Sequence, residues 1–341
     1  MSITYKENLE SIDFAELNAV LTKIFGAKKA KDVSHTKTVF EKSQYYSFAF
    51  KDGQMIGAAR AISDGEWAVI YNFGVLSEYQ GSEVEREVLT RLVRQLKGQH
   101  IFTNALPGTV QFYEQNGFQR TKTAFTYVGF EQGEENYPDG YFLPENYRFE
   151  NEFYRVKVPF VAHYVPEKKK EVSLSYSMSR ENVDYARANE IIERAFCGDH
   201  ELRPENLSEE KVERTKQLFD MSEYVSFAYD GDLLVGVARA ITDGLEEAYI
   251  QNVAVDPTYQ GYGIGWQVVV NLSEEIKKDG LNPFLHTHPG AVGFYNRKGF
   301  RRNKTAVDYN EHREEFPPMP SEADLGFFLP VGYRFEDEYY S

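Results

Sequence analysis

The second half of the chain has the clearest alternation of apolar and polar positions. Over residues 179–196 the apolar side chains Val183, Ala186, Ile191 and Ala195 recur at helical spacing after Ser179, which predicts a capped helix. Ser208 followed by Glu209 and Glu210 predicts the start of a second helix, with anions in its first turn. Residues 224–229 read as a strand, Asp230-Gly231 as a hairpin turn, and 233–241 and 248–255 as two further strands. The last of these carries β-branched Ile250, Val253 and Val255 and stops at Asp256-Pro257, where proline removes a ladder donor. Residues 264–278 return to helical spacing, 283–287 predict a short strand, and 291–298 predict a helix closed by Gly299. The predicted order is α–α–β–β–β–α–β–α–β, a mixed α/β fold with a mixed sheet.

The same pattern occurs twice. SFAFKDGQMIGAARAISDG at 47–65 and SFAYDGDLLVGVARAITDG at 226–244 agree at 10 of 19 positions without a gap. NFGVLSEYQG at 72–81 then matches NVAVDPTYQG at 252–261, and PGTVQFYEQNGF at 107–118 matches PGAVGFYNRKGF at 289–300. The tails agree as well, GYFLPENYRFENEFY at 140–154 against GFFLPVGYRFEDEYY at 326–340. One repeat near 180 residues means two copies of one domain and not a solenoid. The expected boundaries are a first domain over 1–158, a linker over 159–171 containing Pro166 and Lys168 to Lys170, and a second domain over 172–341.

Composition narrows the function. The 341 residues carry 53 Asp and Glu against 38 Lys and Arg, a net charge of −15, which disfavours nucleic-acid binding and suits a cationic substrate. With 24 Tyr, 25 Phe and 2 Trp the chain is rich in material for packed cores. The single cysteine, Cys197, excludes an intrachain disulfide and a cysteine-based zinc cage. No apolar stretch approaches the roughly 20 residues that span a bilayer, and residues 1–14 lack the pattern of a signal peptide. The expectation is a cytoplasmic protein with no metal and no membrane partner, either a monomeric pseudo-dimer or a homodimer.

The candidate chemistry lies in Gln260-Gly261-Tyr262-Gly263-Ile264-Gly265, between a strand end and a helix start. Glycines allow tight turning and expose successive N–H groups, and the helix behind them adds unpaired donors and a positive dipole end. The spacing fits neither a P-loop, since no Gly-Lys-Ser/Thr follows, nor the full dinucleotide fingerprint. A plain strand-to-helix turn is the bland alternative.

Two strings in order, VAVDPTYQGYGIGWQVV at 253–269 and HPGAVGFYNRKGF at 288–300, resemble the GNAT superfamily of acyl-CoA-dependent N-acetyltransferases. Gln260, Gly263 and Gly265 match the family's Gln/Arg-x-x-Gly-x-Gly/Ala loop, and Tyr295 with Gly299-Phe300 matches its late Tyr and Gly-Phe pair. The resemblance covers both copies and implies tandem acetyltransferase domains, each a twisted sheet splayed between its fourth and fifth strands. It implies that Gln260, Gly261, Tyr262, Gly263, Ile264, Gly265 and Trp266 hold the pyrophosphate of acetyl-CoA. The backbone of Val253, Ala254 and Val255 would pair with the pantetheine arm, and Tyr295 would be general acid to the departing thiolate. A buried structural tyrosine is the other reading of Tyr295, since Tyr113 occupies the same place in copy one.

Copy one replaces Gly263 by Glu83 and Gly265 by Glu85, His288 by Leu106 and His286 by Asn104. Two carboxylates facing a pyrophosphate would repel it, so one active site is expected, in the C-terminal copy. For deprotonating an acceptor amine the candidates are Asp243, Glu246, Glu247, His286 and His288. Strand alternation separates Glu246 from Glu247, and Trp67 stands opposite Glu247 in copy one, which favours Glu247. His288 serves equally as a contact to the CoA arm. Asp64 and Asp243 read as turn residues, and Arg60 and Arg239 as structural charges. The leading function is acetyl transfer to a small cationic or aromatic amine of polyamine, arylalkylamine or aminoglycoside type. A protein or peptide N-acetyltransferase and a silent acyl-CoA-binding scaffold are the alternatives.

Overall fold

A computed structural model describes residues 2–26, 31–127, 137, 139–144, 147, 149, 171–196, 207–296, 299–309, 329 and 333–335. Cys197, the lysine run at 168–170 and nearly all of the expected linker lie outside the described residues. In chain order the first half forms β1 (Ile3–Lys6), α1 (Phe14–Phe25), α2 (Val33–Lys42), β2 (Tyr45–Lys51), β3 (Gln54–Ser63), β4 (Trp67–Val75), α3 (Glu83–Gln95), β5 (His100–Asn104), α4 (Val110–Gln115), β6 (Phe118–Arg120) and β7 (Ala124–Tyr127). The second half forms β8 (Leu174–Ser177), α5 (Tyr185–Phe196), α6 (Glu209–Asp220), β9 (Tyr224–Asp230), β10 (Leu233–Thr242), β11 (Glu247–Val255), α7 (Ile264–Lys278), β12 (Asn282–His286), α8 (Val292–Tyr295), β13 (Phe300–Arg302) and β14 (Ala306–Tyr309).

The predicted α7 and the N-cap of α6 at Ser208 agree with the structure, whose Ser208 side chain accepts the Lys211 N–H. Helix α5 begins later than its apolar spacing suggests. Asn182 takes a left-handed φ of 58°, and Asp184, not Ser179, provides the capping carboxylate, accepting the Arg187 N–H at 2.9 Å. Helix α8 spans four residues, so the single turn Pro289–Ala291 takes the start of the expected helix. The opening strands β1 and β8 were not predicted; each is four residues long, too short for a periodicity to declare itself.

The chain divides into two compact units, each with a mixed sheet of seven strands among the described residues. Unit one contains Met1–Lys122, Pro138–Tyr141 and Lys304–Ser341; unit two contains Thr123–Tyr137 and Phe142–Asn303. The strand orders are β1-β2-β3-β4-β5-β14-β6 and β8-β9-β10-β11-β12-β7-β13. Each sheet therefore receives its sixth strand from the other half of the chain. In unit two, β7 pairs with β12 through Phe284↔Thr126 and with β13 through Arg301↔Thr126, and Phe125 is fully buried in that unit's core. In unit one, β14 lies between β5 and β6, with Val307 fully buried.

The core of unit two is the amphipathic α7 laid on the sheet. Val268, Val269, Leu272 and Ile276 pack with Ala238, Ile250 and Leu285, all at most 1% exposed. Among the described residues no helix is long and apolar enough to cross a membrane.

Candidate active site

In unit two the site begins where β11 leaves its neighbours. β11 pairs with β12 in parallel from Glu247↔Asn282 to Ile250↔Leu285, and among the described residues no pairing on that edge continues toward Val255. The opposite edge pairs with β10 but skips a residue: Val237 faces Ala254 and Arg239 faces Gln251. Asn252 and Val253 together oppose Ala238, a bulge that turns the strand, and Asn252 adopts φ 49°. The bulge is pinned from beneath by Arg239, which is fully buried and donates to Asn252 Oδ1, Gln251 Oε1 and Ser222 Oγ. Unit one repeats the device, with fully buried Arg60 donating to Asn72 Oδ1 and Ser43 Oγ, and Asn72 at φ 47°. The two arginines are thus structural, as their presence in both copies suggested, and they hold the strand distortion.

After β11, Asp256 caps the turn Pro257–Tyr259, and the chain enters the glycine loop. Gly261 has φ 88° and Gly263 φ 79°, left-handed values that favour glycine, and a Cβ at either would meet nothing within 4 Å. Gly263 is also the N-cap of α7, so no side chain caps the first-turn amides, Ile264 and Gly265 among them. Gly265 faces inward: a Cβ there would lie 3.3 Å from Val255 Cγ2 and 3.5 Å from Phe294 Cζ. The side chains of Ile264 and Trp266 belong to the core, Trp266 edge-on to Phe294 and Phe300 at 5.9 and 5.8 Å. Ile264 therefore has only backbone to offer an anion. Open space above uncapped amides at a helix N-terminus fits a pyrophosphate.

The corresponding loop of unit one is closed by its own side chains. Glu85 Oε2 accepts the Gly81 N–H at 2.6 Å, and Ser82 Oγ accepts the Val84 N–H at 3.2 Å as the N-cap of α3. Burial lifts the Glu85 carboxyl above its ordinary range, with the Gly81 amide opposing that rise. Glu83, expected to face the loop beside Glu85, instead points to solvent and pairs with Arg86 at 3.4 Å. At the N-cap-adjacent position a side chain projects away from the loop, and a salt bridge one turn on is available to it. The occlusion thus comes from one carboxylate.

Tyr295 is buried at the end of α8, tilted against Phe125 at 5.9 Å and edge-on to Phe294 and Phe300 at 4.8 and 5.5 Å. Burial raises its hydroxyl above the ordinary phenol value, so it is held protonated. Tyr113 in unit one is buried too, and the nearby Thr103 opposes the rise that burial causes in its hydroxyl. The residue matching Thr103 in unit two is Leu285, which offers no hydroxyl. The two tyrosines share a place and differ in that neighbour.

His288 is half-buried and its Nδ1 accepts the Gly290 N–H at 3.1 Å. Burial lowers it below the ordinary imidazole value, which favours the neutral ring, and the hydrogen bond taken at Nδ1 places that ring's proton on Nε2. His286 sits edge-on to Tyr249 at 6.1 Å. Glu246 contributes its backbone carbonyl to the Asn282 N–H at 3.0 Å, and the Asp243 side chain accepts the Leu245 and Glu246 N–H groups at 2.9 and 3.2 Å. Asp243, like Asp64 in unit one, is a turn residue. Glu247 is half-buried opposite Asn282. Beside it lies Tyr137, whose hydroxyl donates to Asn282 Oδ1 at 3.0 Å and whose pKa is raised by burial and by the Glu247 charge. Neither Phe125 nor Tyr137 was visible as a site neighbour in the sequence, because both arrive from the first half of the chain through the exchanged strand.

The Acetyltransferase (GNAT) domain model matches residues 13–131 and 189–320. GCN5-related N-acetyltransferase 1, chloroplastic, of Arabidopsis thaliana is 40% identical over 67 residues, 19% of this chain and 34% of that protein. Serotonin N-acetyltransferase 2, chloroplastic, of Oryza sativa subsp. japonica is 33% identical over 100 residues, 28% of this chain and 50% of that protein. The chain thus spans between a third and a half of the length of these curated relatives. Among solved structures, a tandem GNAT protein from the clavulanic acid biosynthesis pathway aligns with 90% of this chain and 98% of its own at TM-score 0.51 and 12% identity. A GCN5-related N-acetyltransferase from Sphaerobacter thermophilus aligns over 90% and 95% at TM-score 0.51 and 13% identity. At these identities the two structures establish the fold.

Proposed function

This chain belongs to the GNAT acetyltransferases, and on that premise we propose that it moves the acetyl group of acetyl-CoA to the primary amine of a small cationic or aromatic amine. The observation that carries the reading is the contrast between two loops on one scaffold. The loop at 260–265 has uncapped amides under open space, and the loop at 80–85 is closed by Glu85. One working site, in unit two, follows from that contrast. The rice relative named serotonin N-acetyltransferase and the acid excess of the chain support an amine acceptor with a cationic or aromatic character.

Acetyl-CoA would supply the acetyl group as an activated thioester. The amides from Gly261 to Gly265 and the dipole of α7 would hold its pyrophosphate. The unpaired edge of β11 beyond Ile250 would take the pantetheine amides as a further strand, placing Val253 to Val255 along the arm. At the bulge an N–H no longer committed to the ladder would stabilise charge developing on the thioester oxygen, a contribution of up to about 3 kcal/mol. Glu247, at the far end of the same strand, would take the proton leaving the amine, through water where needed. Tyr295, kept protonated by burial, would donate to the departing sulfur. His288 would act as a donor to the CoA arm through Nε2. The carbon–nitrogen bond forms as the carbon–sulfur bond breaks, and one proton passes from the amine side to the thiolate side.

The test is thiol release from acetyl-CoA across a panel of arylalkylamines, polyamines, aminoglycosides and a lysine peptide. Turnover with one of the small-amine classes is the expected result. Turnover with the peptide alone would move the acceptor to proteins, as in the soybean relative named histone acetyltransferase TAP1. Saturable acetyl-CoA binding without thiol release for any amine would overturn the enzyme reading.

A further inference from the structure

The entrance to the glycine loop carries a charge that should hinder the ligand proposed for it. Asp256 is 1% exposed, and it precedes the loop by four residues. Its Oδ1 accepts the Thr258 N–H at 2.8 Å and the Thr258 hydroxyl at 2.5 Å. Its Oδ2 pairs with Arg187 of α5. Arg187 uses the rest of its guanidinium as a clamp, donating from Nε to the Leu234 carbonyl at 3.2 Å and pairing with Glu190 at 2.8 Å. Glu190 is shared in turn with Arg194 at 2.9 Å. One side chain thus ties α5, the start of β10 and the turn that opens the phosphate loop.

The other unit supplies the control. The position of Arg187 in α5 corresponds to Glu16 in α1, and the position of Asp256 corresponds to Leu76. Glu16 accepts the Met55 N–H at 2.8 Å, on the residue matching Leu234, so the link from helix to strand survives with its polarity reversed. The link to the loop does not survive, because Leu76 has no charge to offer. Both members of the pair are missing from the unit whose loop is closed by Glu85, and the fold of that unit persists without them. The pair is therefore not a requirement of the fold, and its retention follows the open loop.

Resting on the reading that loop 260–265 binds the CoA pyrophosphate, we infer that Arg187 and Asp256 are a positioning pair for that loop. Asp256 fixes the turn through Thr258, and Arg187 holds Asp256 in place and neutralises it so that an anion can sit beyond it. Removing Arg187 alone leaves a buried carboxylate uncompensated beside an anion site, which is more damaging than removing both charges.

Affinities for CoA and for inorganic pyrophosphate are measured by calorimetry on the full chain, with melting temperatures on the same samples. Arg187→Met should weaken both ligands by at least about tenfold, the size of leaving one member of a close charge pair unpartnered. The double variant Arg187→Met with Asp256→Asn should recover a measurable part of that loss, which a merely structural role would not produce. Arg187→Lys, which keeps the charge and breaks the fork, should fall between, and it serves in place of Arg187→Met if that variant does not fold. Unchanged pyrophosphate affinity in the single variants, or a double variant no better than Arg187→Met, would overturn the inference. A wild-type chain that binds neither ligand would instead overturn the reading of the loop on which it rests.

Discussion

Gly265→Glu transplants into unit two the residue that closes the loop of unit one. The backbone at Gly265 is helical, so the new side chain meets no conformational strain of the left-handed kind. Its Cβ would lie 3.3 Å from Val255 Cγ2 and 3.5 Å from Phe294 Cζ, contacts that a shift of a few tenths of an ångström relieves. The carboxylate would then be placed to take the Gly261 N–H, as Glu85 takes the Gly81 N–H at 2.6 Å. To bind, the CoA pyrophosphate must break that charge-assisted hydrogen bond, worth about 1.5–3 kcal/mol. At 1.4 kcal/mol per decade the dissociation constant rises roughly ten- to hundredfold, before any repulsion between carboxylate and phosphate is added.

The pH dependence gives the sign a separate check. Burial raises the Glu85 carboxyl, and the same burial acts on a glutamate at 265. A carboxyl with a raised value protonates first as the pH falls, and once neutral it holds the amide less tightly and repels phosphate less. The handicap of Gly265→Glu relative to wild type should therefore shrink between about pH 7 and pH 5. Calorimetric titration with CoA at several pH values reads both quantities. Wild-type affinity in the variant would refute the occlusion argument. A handicap that grows on acidification would refute its electrostatic part.

Two further outcomes follow from the same geometry. Tyr295→Phe leaves the aromatic cluster of Phe125, Phe294 and Phe300 in place and should lower kcat about 100-fold with little change in the KM for acetyl-CoA, whereas Tyr113→Phe should leave turnover unaltered; equal rates for wild type and Tyr295→Phe in the thiol-release assay would dismiss the general-acid role. Expressed separately, residues 1–158 and 172–341 each lack the strand that completes their sheet, so neither should show the cooperative melt of the full chain by circular dichroism; a cooperative 172–341 with undiminished melting temperature would show that β7 is dispensable.

What the sequence disclosed, and what it concealed, divides along physical lines. Local signals were legible: the Ser208 cap, the extent of α7, the Asp-Pro stop after β11 and the glycine loop all depend on neighbours a few residues away. The duplication added a second kind of legibility, since substitutions at 83, 85 and 106 marked one copy as altered. Non-local pairings left no trace. β7 and β14 look like the last strands of their own copies, and only the ladders Phe284↔Thr126 and Ala306↔Asn104 reveal the exchange. For the same reason Phe125 behind Tyr295 and Tyr137 beside Glu247 could not be foreseen. Glu83 was misplaced for a simpler cause: residues two apart on a helix do not share a face, so Glu85 meets the loop while Glu83 faces water.

The two units also separate what the scaffold requires from what chemistry requires, without recourse to any other protein. The bulge clamp is complete in both: Arg60 with Asn72 and Ser43, Arg239 with Asn252 and Ser222. The clamp is the same whether the loop beside it is closed, as in unit one, or open, as in unit two, so it belongs to the sheet and holds the bulge of β4 or β11. Tyr113 and Tyr295 occupy the same place, yet Thr103 beside the first is matched by Leu285 beside the second. What distinguishes unit two is a small set that lies along one strand and its exit: Glu247 at the beginning of β11, Asp256 with Arg187 at its end, Gly263 and Gly265 at the helix start, and His288 after β12. At these positions unit one carries Trp67, Leu76, Glu16, Glu83, Glu85 and Leu106, of which Glu85 closes the loop. The −15 net charge takes on a local meaning in this light, since Glu85 spends one of those charges closing a loop while Asp256, in the open copy, is kept neutralised by an arginine.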